Sequence, residues 1–427
     1  MDRIVDVLSP LRVRHYRTLW IAQVLSELGD WAARLALAVL VLERTGSATL
    51  TGLAVGVSLV AWLGPGQLVA GWVDRFDRRS VMVGADVVRG AAFLLMLAPV
   101  PVWLLLLLAT AAGLATPAFQ GARSAMQVEV VPQDSYGPAL ALGSITQDLG
   151  VLGGYLLGGL ALTVADPATA LGVNALTFLL SAVVLSRLPR LDHRSDAPDG
   201  SRRSGVGASV AFLLGDAPVR RAAVLTIAST FSATAAETLL IVFTTRDLPG
   251  PGWLPAALLS ATVVVTLVAT AWVPFRGNAR HLLAVAAWLS LVPAVAVVVL
   301  ALSGTLTLLL AFLVAALLFV VNTPTNVVAG PRLPRHLRSV AISVVVGATV
   351  AAQALAAAVA GLLADLTGTP VAVALVMVPS LLVGAWALLR PVAADDDDAT
   401  APVAPETVQP PVEPPVTVET SVVTQGV

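Results

Sequence analysis

Long apolar segments recur along this chain between residues 18 and 389, and no other feature of the sequence limits the possible folds as strongly. A helix needs about 20 residues to cross the roughly 30 Å hydrocarbon core of a bilayer. Lipid offers no hydrogen-bond partner to a peptide group, so each segment must satisfy its own backbone, and the alternation of barrel strands is missing. We therefore predict an all-α membrane protein with twelve transmembrane helices, at 18–42, 50–73, 81–98, 102–122, 138–163, 168–186, 221–243, 254–274, 282–302, 305–328, 339–364 and 370–389.

The composition agrees with this assignment and excludes several kinds of chemistry. The chain is 57% hydrophobic and 12% charged, whereas soluble domains carry about 25% charged residues. All 25 basic residues are Arg and there is no Cys, which excludes a Walker A phosphate loop and thiolate sites. The His residues lie outside the predicted spans, at His15, His193, His281 and His336. We expect no enzyme activity, metal, cofactor or nucleic-acid partner, and a proton gradient as the energy source.

The positions of the Arg residues indicate the orientation in the membrane. A cytoplasmic N terminus places 20 Arg on cytoplasmic segments and two, Arg44 and Arg246, on the outer side. Because cytoplasmic loops are enriched in basic residues, both termini are predicted to be cytoplasmic. The absence of Lys suggests a GC-rich bacterial genome. We therefore expect a monomeric, multi-pass protein of the bacterial inner membrane whose partners are the lipid bilayer, protons and a small-molecule substrate.

A hydrophilic stretch divides the predicted helices six and six. Two dipeptides, Thr-Pro and Gly-Leu, recur in the two halves, at residues 116 and 323 and at residues 159 and 361, which indicates a parallel repeat. The last residues are acidic and Pro-rich and cannot bury enough apolar surface to fold, so we expect disorder there. The predicted parts are a cytoplasmic N-terminal segment 1–17, a six-helix bundle 18–188, a cytoplasmic linker 189–218, a second six-helix bundle 219–390 and a disordered cytoplasmic tail 391–427.

The first predicted helix contains three charged residues, Glu27, Asp30 and Arg34, which share one helical face. A charge at the centre of a membrane helix costs about 2.5 to 3.5 kcal/mol on insertion scales, so we expect these side chains to face the bundle interior or a wet cavity. Asp30 can pair with Arg34 at i+4, which makes Glu27 the better candidate to cycle a proton. Two interpretations stay open: an internal salt bridge that only locks the helix, or a cation or proton site in the transport pathway.

Other charged residues lie within later spans. Glu237 has no basic residue within a helical turn or two, so it is a second candidate for proton coupling or for binding a cationic substrate; the alternative is a pair with a distant Arg. Asp148 lies one turn before a glycine cluster and is a further candidate for the pathway. Asp86 and Arg89 are spaced i, i+3 and are expected to pair with each other or with the following helix, in a structural role.

Four segments, 16–31, 71–79, 117–132 and 150–159, carry a resemblance to a known family. The first begins Tyr-Arg-Thr-Leu-Trp and ends Ser-Glu-Leu-Gly-Asp-Trp, and the second reads Gly-Trp-Val-Asp-Arg-Phe-Asp-Arg-Arg. Together the segments resemble the major facilitator superfamily, in particular its drug and siderophore exporter branch, which includes macrolide and enterobactin exporters. The resemblance covers roughly residues 16–389 and implies the fold of that family, with two six-helix bundles.

The resemblance also assigns roles to individual residues. In the family, the loop between helices two and three holds the cytoplasmic gate shut, and its charged positions are matched here by Asp74, Arg75, Arg78 and Arg79. The glycine of this loop motif, Gly71, stands three residues before Asp74 where four is usual in the family. Pro117 and Arg123 match the exit of the fourth helix. Small residues in the fifth helix let helices approach closely, and the glycine motif associated with exporters is matched by Gly150, Gly154, Gly158 and Gly159. Tyr155 stands where the family usually has Pro.

These observations predict a secondary active transporter that exports a small amphipathic compound, such as a drug, a macrolide-like metabolite or a siderophore, by proton antiport. One alternative is a proton- or ion-coupled importer of a small nutrient, although such a cavity favours acids and basic residues in both halves. The other is a transporter-like scaffold or sensor without transport, against which the loop charges Asp74 and Arg78 argue. The pathway candidates are Glu27, Asp30, Arg34, Asp148 and Glu237.

Overall fold

Every element of the computed structural model is helical over the residues it describes, which are 8–60, 76–164, 166–189, 201–248, 250–273, 278–334 and 337–390. A short 3-10 turn, Ser9–Arg12, precedes the first long helix. The helices are α1 (Arg14–Thr45), α2 (Ala48–Val60), α3 (Arg78–Leu95), α4 (Val102–Val130), α5 (Gln133–Val164) and α6 (Pro167–Leu185), then a connecting helix (Ser201–Gly215), and then α7 (Ala217–Asp247), α8 (Leu254–Trp272), α9 (Ala279–Ser303), α10 (Thr305–Arg332), α11 (Arg338–Thr367) and α12 (Thr369–Leu389).

Nine helices in the described ranges, α4 to α12, are long and apolar enough to cross a membrane. The charges of α1 and α3 keep these two helices out of that group, because Glu27, Asp30 and Arg34 lie near the middle of α1. Helix α2 is described over 13 residues. The prediction of an all-α membrane fold is confirmed, and the count of twelve spans stays a prediction.

Polar side chains and glycine mark the helix ends. Asp77, Asp216 and Asn278 each accept a hydrogen bond from a backbone N–H in the first turn of α3, α7 and α9, which satisfies a donor that has no partner within the helix. Asp166 caps α6 in the same way, and hydrogen bonds from Thr169 lower the pKa of its carboxyl group. Helix α1 is followed by Gly46, whose φ of 65° is a left-handed conformation that glycine adopts without strain.

Helices α1 to α6 and α7 to α12 form the two halves of the molecule, and they meet along two pairs of helices. Helix α2 packs along α11, and α5 packs along α8. One apolar cluster includes residues of both halves, among them Leu35 of α1, Val55 of α2, Leu239 of α7 and Ala356 of α11. We call the end of the molecule with the α1–α2 and α11–α12 turns the Gly46 end, and the opposite end the Arg78 end.

Within the predicted linker, the structure contains the connecting helix. Leu213 of this helix is buried in a cluster with Val219, Leu333 and Ala341 of the second half. The linker is thus partly helical and packs on the second half. Residues 1–7, 190–200 and 391–427 lie outside the described residues, so the predicted disorder of the tail and the proposed domain boundaries stay predictions.

The glycines of α5 let that helix lie close against α1. A Cβ atom at Gly150 would lie 2.7 Å from Cβ of Glu27, and one at Gly154 would lie 2.5 Å from Cβ of Trp31. Gly158 packs on the backbone of α1 in the same way, at Ala32. Because real Cβ atoms do not approach so closely, any larger residue forces the helices apart. The close approach predicted from the glycine motif is therefore present, and Gly159 faces α8 in the other half.

Candidate functional site

A cavity of about 380 Å³ lies between the helices, and its wall contains the three charged residues of α1. Its polar lining is concentrated in the first half, where Arg89 of α3 and Gln147 of α5 also contribute. The second half contributes Val350 and Gln353 of α11. The main polar and aromatic lining residues are Glu27, Asp30, Trp31, Arg34, Arg89, Phe93, Thr116, Gln120, Gln147 and Gln353.

Arg89 is the central cation of this site. It is 2% exposed, and its guanidinium lies between the rings of Phe119 and Phe178, at 4.4 and 4.5 Å from their centroids. Arg89 donates to Asp86 at 2.6 Å, so the predicted pair at i, i+3 is confirmed. Because the guanidinium is delocalised and planar, two aromatic faces and a carboxylate can hold it in one orientation.

Asp30 is also paired with Arg89, at 3.6 Å, and not with Arg34 as predicted from the i+4 spacing. This distance is too long for a good hydrogen bond, and the Asp30 side chain is 38% exposed. The strongest partner of Arg89 is therefore the fully buried Asp86. Asp30 is left as a weakly paired carboxylate that faces the cavity.

Arg34 takes part in a different set of contacts, which runs from the first half to the second. Its guanidinium lies 5.1 Å from the ring centroid of Trp31. The Trp31 ring meets the ring of Tyr155 edge-on, with centroids 5.5 Å apart. The hydroxyl of Tyr155 donates a hydrogen bond to Oε1 of Glu237 on α7. Glu237 thus has a tyrosine as its partner, which joins α5 to α7 across the two halves.

Glu27 follows Gln23 by one turn of α1, and Gln23 is in turn a partner of Arg123. Glu27 lines the cavity and packs against Gly150. Arg123 of α4 donates to Gln23 of α1 at 2.7 Å and to Gln120 of its own helix at 3.1 Å. Arg123 therefore ties α4 to α1 next to the charged face, a contact that the predicted fourth-helix exit did not suggest. Pro117, the other residue predicted for that exit, is buried within α4.

The structure does not bring Asp148 to the cavity. This residue is exposed on α5, while the preceding residue, Gln147, lines the cavity wall. Of the five residues predicted for the pathway, Glu27, Asp30 and Arg34 lie together on the cavity, and Glu237 is connected to them through Trp31 and Tyr155. The role of each in transport stays a prediction.

The predicted gating loop is described in part. Gly71, Asp74 and Arg75 lie outside the described residues. Arg78 forms an ion pair with Glu129 of α4 and donates to the carbonyl oxygen of Ala125 at 3.2 Å. Arg79 is half-buried next to it. Arg78 therefore ties the start of α3 to the end of α4 within the first half.

The two halves are joined tightly at the Gly46 end. Asp365, near the end of α11, accepts hydrogen bonds from the backbone N–H groups of Ala48 and Thr49, at 3.0 and 2.8 Å. Arg246 of α7 pairs with the same carboxylate at 2.9 Å. Below this contact, Gly52 faces the backbone of α11, where a Cβ would lie 2.1 Å from the carbonyl oxygen of Ala357. The described part of the chain is therefore closed at this end.

A multi-pass helical membrane protein with two halves of six helices and a charged cavity between its helices has the architecture of a secondary transporter. The sequence model that defines the Major Facilitator Superfamily matches residues 19–329 of the chain. The chain therefore belongs to that superfamily, and it is a transporter and not an enzyme.

Two curated relatives match part of the chain. An uncharacterized MFS-type transporter, YfiS, from Bacillus subtilis (strain 168) is 29% identical over 177 residues, which are 40% of this chain and 42% of the relative. Macrolide efflux protein A from Streptococcus pyogenes is 21% identical over 191 residues, which are 43% of this chain and 47% of the relative. The chain thus matches somewhat less than half the length of these relatives.

Solved structures of similar shape cover nearly the whole chain. A peptide transporter, POT, in complex with sulfate has a TM-score of 0.70 at 14% identity and covers 90% of this chain and 95% of its own. A bacterial homologue of the human lysosomal transporter Spinster, in an inward-facing and occupied conformation, has a TM-score of 0.70 at 14% identity. The match covers 89% of this chain and 97% of the homologue. At this identity the likeness concerns the fold.

Proposed function

We propose that this protein exports a small amphipathic compound across the bacterial inner membrane in exchange for protons. The observation that carries the proposal is the weakly paired carboxylate of Asp30 on the cavity wall, 3.6 Å from an Arg89 that is already neutralised by Asp86. Such a carboxylate can take up a proton or bind a cationic or hydrogen-bond-donating group of a substrate. Since one group serves both ligands, occupancy by one excludes the other, which is the requirement for exchange.

The rest of the cavity fits an amphipathic substrate. Trp31 and Phe93 present aromatic surface, while Gln120, Gln147 and Gln353 offer amide groups that both donate and accept hydrogen bonds. Pockets for small molecules combine apolar walls with a few polar groups in this manner. Glu27 adds a second acid to the same wall. We therefore propose that Glu27 and Asp30 form the proton site and that the aromatic wall holds the apolar part of the substrate.

Two further observations favour export. The partial match to macrolide efflux protein A concerns a protein named for efflux, and the glycine motif of α5 resembles that of exporters. The predicted orientation places the Gly46 end outside, and the tight contacts at that end fit a state that is closed to the outside. We further propose that the protein acts as a monomer, with both termini in the cytoplasm and the proton gradient as its energy source.

Import of a nutrient is the second candidate, because one structural neighbour is described as a peptide transporter. Export lowers and import raises the amount of substrate that a cell accumulates. We suggest measuring the accumulation of fluorescent amphipathic compounds in a pump-deficient bacterium that expresses the protein, with and without a protonophore. Export predicts lower accumulation that the protonophore abolishes. Asp30→Asn should abolish it as well, whereas Asp134→Asn, an exposed acid of α5 off the cavity, should behave as wild type.

Higher accumulation in expressing cells would favour import. No change with any compound, for a protein shown to reach the membrane, would favour a scaffold or sensor without transport.

A further inference from the structure

Tyr155 and Glu237 form a polar contact within the apolar layer that joins the two halves. Tyr155 is 2% exposed and belongs to the same apolar cluster as the α7 residues Ala236 and Leu240. Glu237 is half-buried and accepts the hydrogen bond of the Tyr155 hydroxyl. The bond joins α5 of the first half to α7 of the second, so any movement that separates these two helices must break it.

We propose that Tyr155 is a positioning residue that prevents the empty transporter from reorienting. Its hydroxyl holds the ionised carboxylate of Glu237 and keeps α5 against α7 until a proton or a bound substrate releases the contact. This inference rests on the proton exchange proposed above, and it explains how that exchange is kept obligatory. An exchanger that reoriented empty and unprotonated would dissipate the proton gradient without moving its substrate.

The charge of Glu237 is the physical reason why the empty transporter stays in place. A hydrogen bond to an ionised carboxylate is roughly twice as strong as one between neutral groups. Separating α5 from α7 would leave that carboxylate without its donor among apolar neighbours, which is strongly unfavourable. Protonation of Glu237, in addition to that of the Glu27 and Asp30 site, removes the charge of this carboxylate, and with it most of the cost of breaking the bond. The unprotonated empty state is therefore locked, and the protonated state is free to reorient.

The substrate can reach this lock through Trp31. The Trp31 ring lines the cavity and meets the ring of Tyr155 edge-on, so a compound that displaces Trp31 also displaces the phenol. Arg34, which lies over the Trp31 ring, is the cation closest to the pair along this series of contacts. Helix α1, which also packs on α7, carries the carboxylates Glu27 and Asp30 near its middle. The charged residues of α7 itself and of the other helices packed on it lie near helix ends, at Asp216, Arg220, Arg221, Arg246, Asp247, Arg280, Arg332, Arg338 and Asp365.

The test is proton leakage in the absence of substrate. We suggest reconstituting the wild type, Tyr155→Phe and Tyr136→Phe in liposomes with an internal pH-sensitive dye and imposing a pH gradient. Phe keeps the ring that packs on Trp31 and removes the hydroxyl, and Tyr136 is a half-buried tyrosine near the Arg78 end, away from the cavity. Loss of a hydrogen bond to a charged group predicts leakage about tenfold faster or more in Tyr155→Phe. Leakage equal to that of wild type and Tyr136→Phe would overturn the proposal.

A second measurement separates this proposal from the proposed function, because it needs no transport. The chain has no Cys, so spin labels can be placed at Trp103→Cys of α4 and Leu306→Cys of α10, which are 66% and 80% exposed at the Gly46 end of the two halves. At high pH without substrate, the lock predicts a short distance in the wild type and a population with a longer distance in Tyr155→Phe. Identical distributions would contradict the lock, even if export is established. A longer distance between the spin labels in Tyr155→Phe, together with no proton exchange by the wild type, would support the lock and contradict the export proposal.

Discussion

Asp365 of α11 caps the first turn of α2 from the other half of the molecule, with its Oδ2 atom 2.8 Å from the backbone nitrogen of Thr49. The same oxygen accepts the hydroxyl hydrogen bonds of Ser47 and Thr49 at 3.0 and 2.8 Å. A helix N terminus has backbone donors without partners and a partial positive charge, which favour a carboxylate. The cap therefore doubles as a bond between the two halves at the Gly46 end, and it must break when this end opens.

Replacing Asp365 is thus expected to favour the state that is open at the Gly46 end. Removing a hydrogen bond to a charged group costs about 1.5 to 3 kcal/mol, so Asp365→Ala should shift the equilibrium between the two states about tenfold or more. The spin-label pair at residues 103 and 306 measures this shift. Asp166→Ala is the matched control, because Asp166 caps α6 on its own half. An equal shift in both variants, or none in Asp365→Ala, would count against a bond between the halves.

Arg89 and its partners Asp86, Phe119 and Phe178 are expected to contribute to the stability of the fold. Arg89→Ala leaves the carboxylate of Asp86, which is 0% exposed, buried without its cation, and breaking such a pair costs about 3 to 5 kcal/mol. We expect a marked decrease in the melting temperature of the purified protein in detergent. The double variant Asp86→Ala, Arg89→Ala removes both charges and should recover part of the loss. A double variant less stable than Arg89→Ala would contradict this account.

The glycines of α5 are expected to control its contact with α1. Gly154→Ala places a Cβ 2.5 Å from Cβ of Trp31 and 2.9 Å from the carbonyl oxygen of Leu28. Overpacking of this kind costs about 1 to 3 kcal/mol, so the variant should melt at a lower temperature and transport less. Gly143→Ala, on the same helix with open space around its Cβ position, is the control. Equal melting temperatures for the two variants would refute the tight α1–α5 contact.

The pH dependence of export should change with the acids of the cavity. Asp30→Asn cannot release a proton, so substrate uptake from the cytoplasm should lose its increase with rising cytoplasmic pH, while binding of a neutral substrate to the aromatic wall is retained. Glu27→Gln should shift this profile less if Asp30 is the principal proton site. Transport assays over a range of internal pH distinguish the two carboxylates. A complete loss of pH dependence in Glu27→Gln alone would reverse the assignment.

Local patterns in the sequence were sufficient for the all-helical membrane fold, for the pair Asp86–Arg89 and for the face of α1 that lines the cavity. They were not sufficient for contacts between distant helices. The partner of Asp30 lies on α3, the partner of Glu237 is 82 residues away and the partner of Thr49 is 316 residues away. Helical periodicity relates a residue to neighbours three and four positions away, so it contains no information on which helices pack together.

One expectation drawn from local spacing was wrong for the same reason. The i+4 spacing suggested Arg34 as the partner of Asp30, but the packing of α3 on α1 provides Arg89 instead. Asp148 is exposed on α5, while its neighbour Gln147 lines the cavity; the role of Asp148 in transport stays a prediction. In the sequence, Tyr155 is only a departure from the family pattern, because its hydrogen bond to Glu237 depends on the position of α7.

The central claim, that substrate and protons exchange at the Asp30 carboxylate, is tested most directly in liposomes that contain the purified protein and a fluorescent amphipathic substrate. We would impose a pH gradient in either direction and follow substrate and proton movement together, in the wild type and in Asp30→Asn. The account predicts that substrate moves opposite to protons, reverses with the gradient, and no longer responds to the gradient in Asp30→Asn. Movement of substrate and protons in the same direction, or an unchanged response in Asp30→Asn, would contradict it.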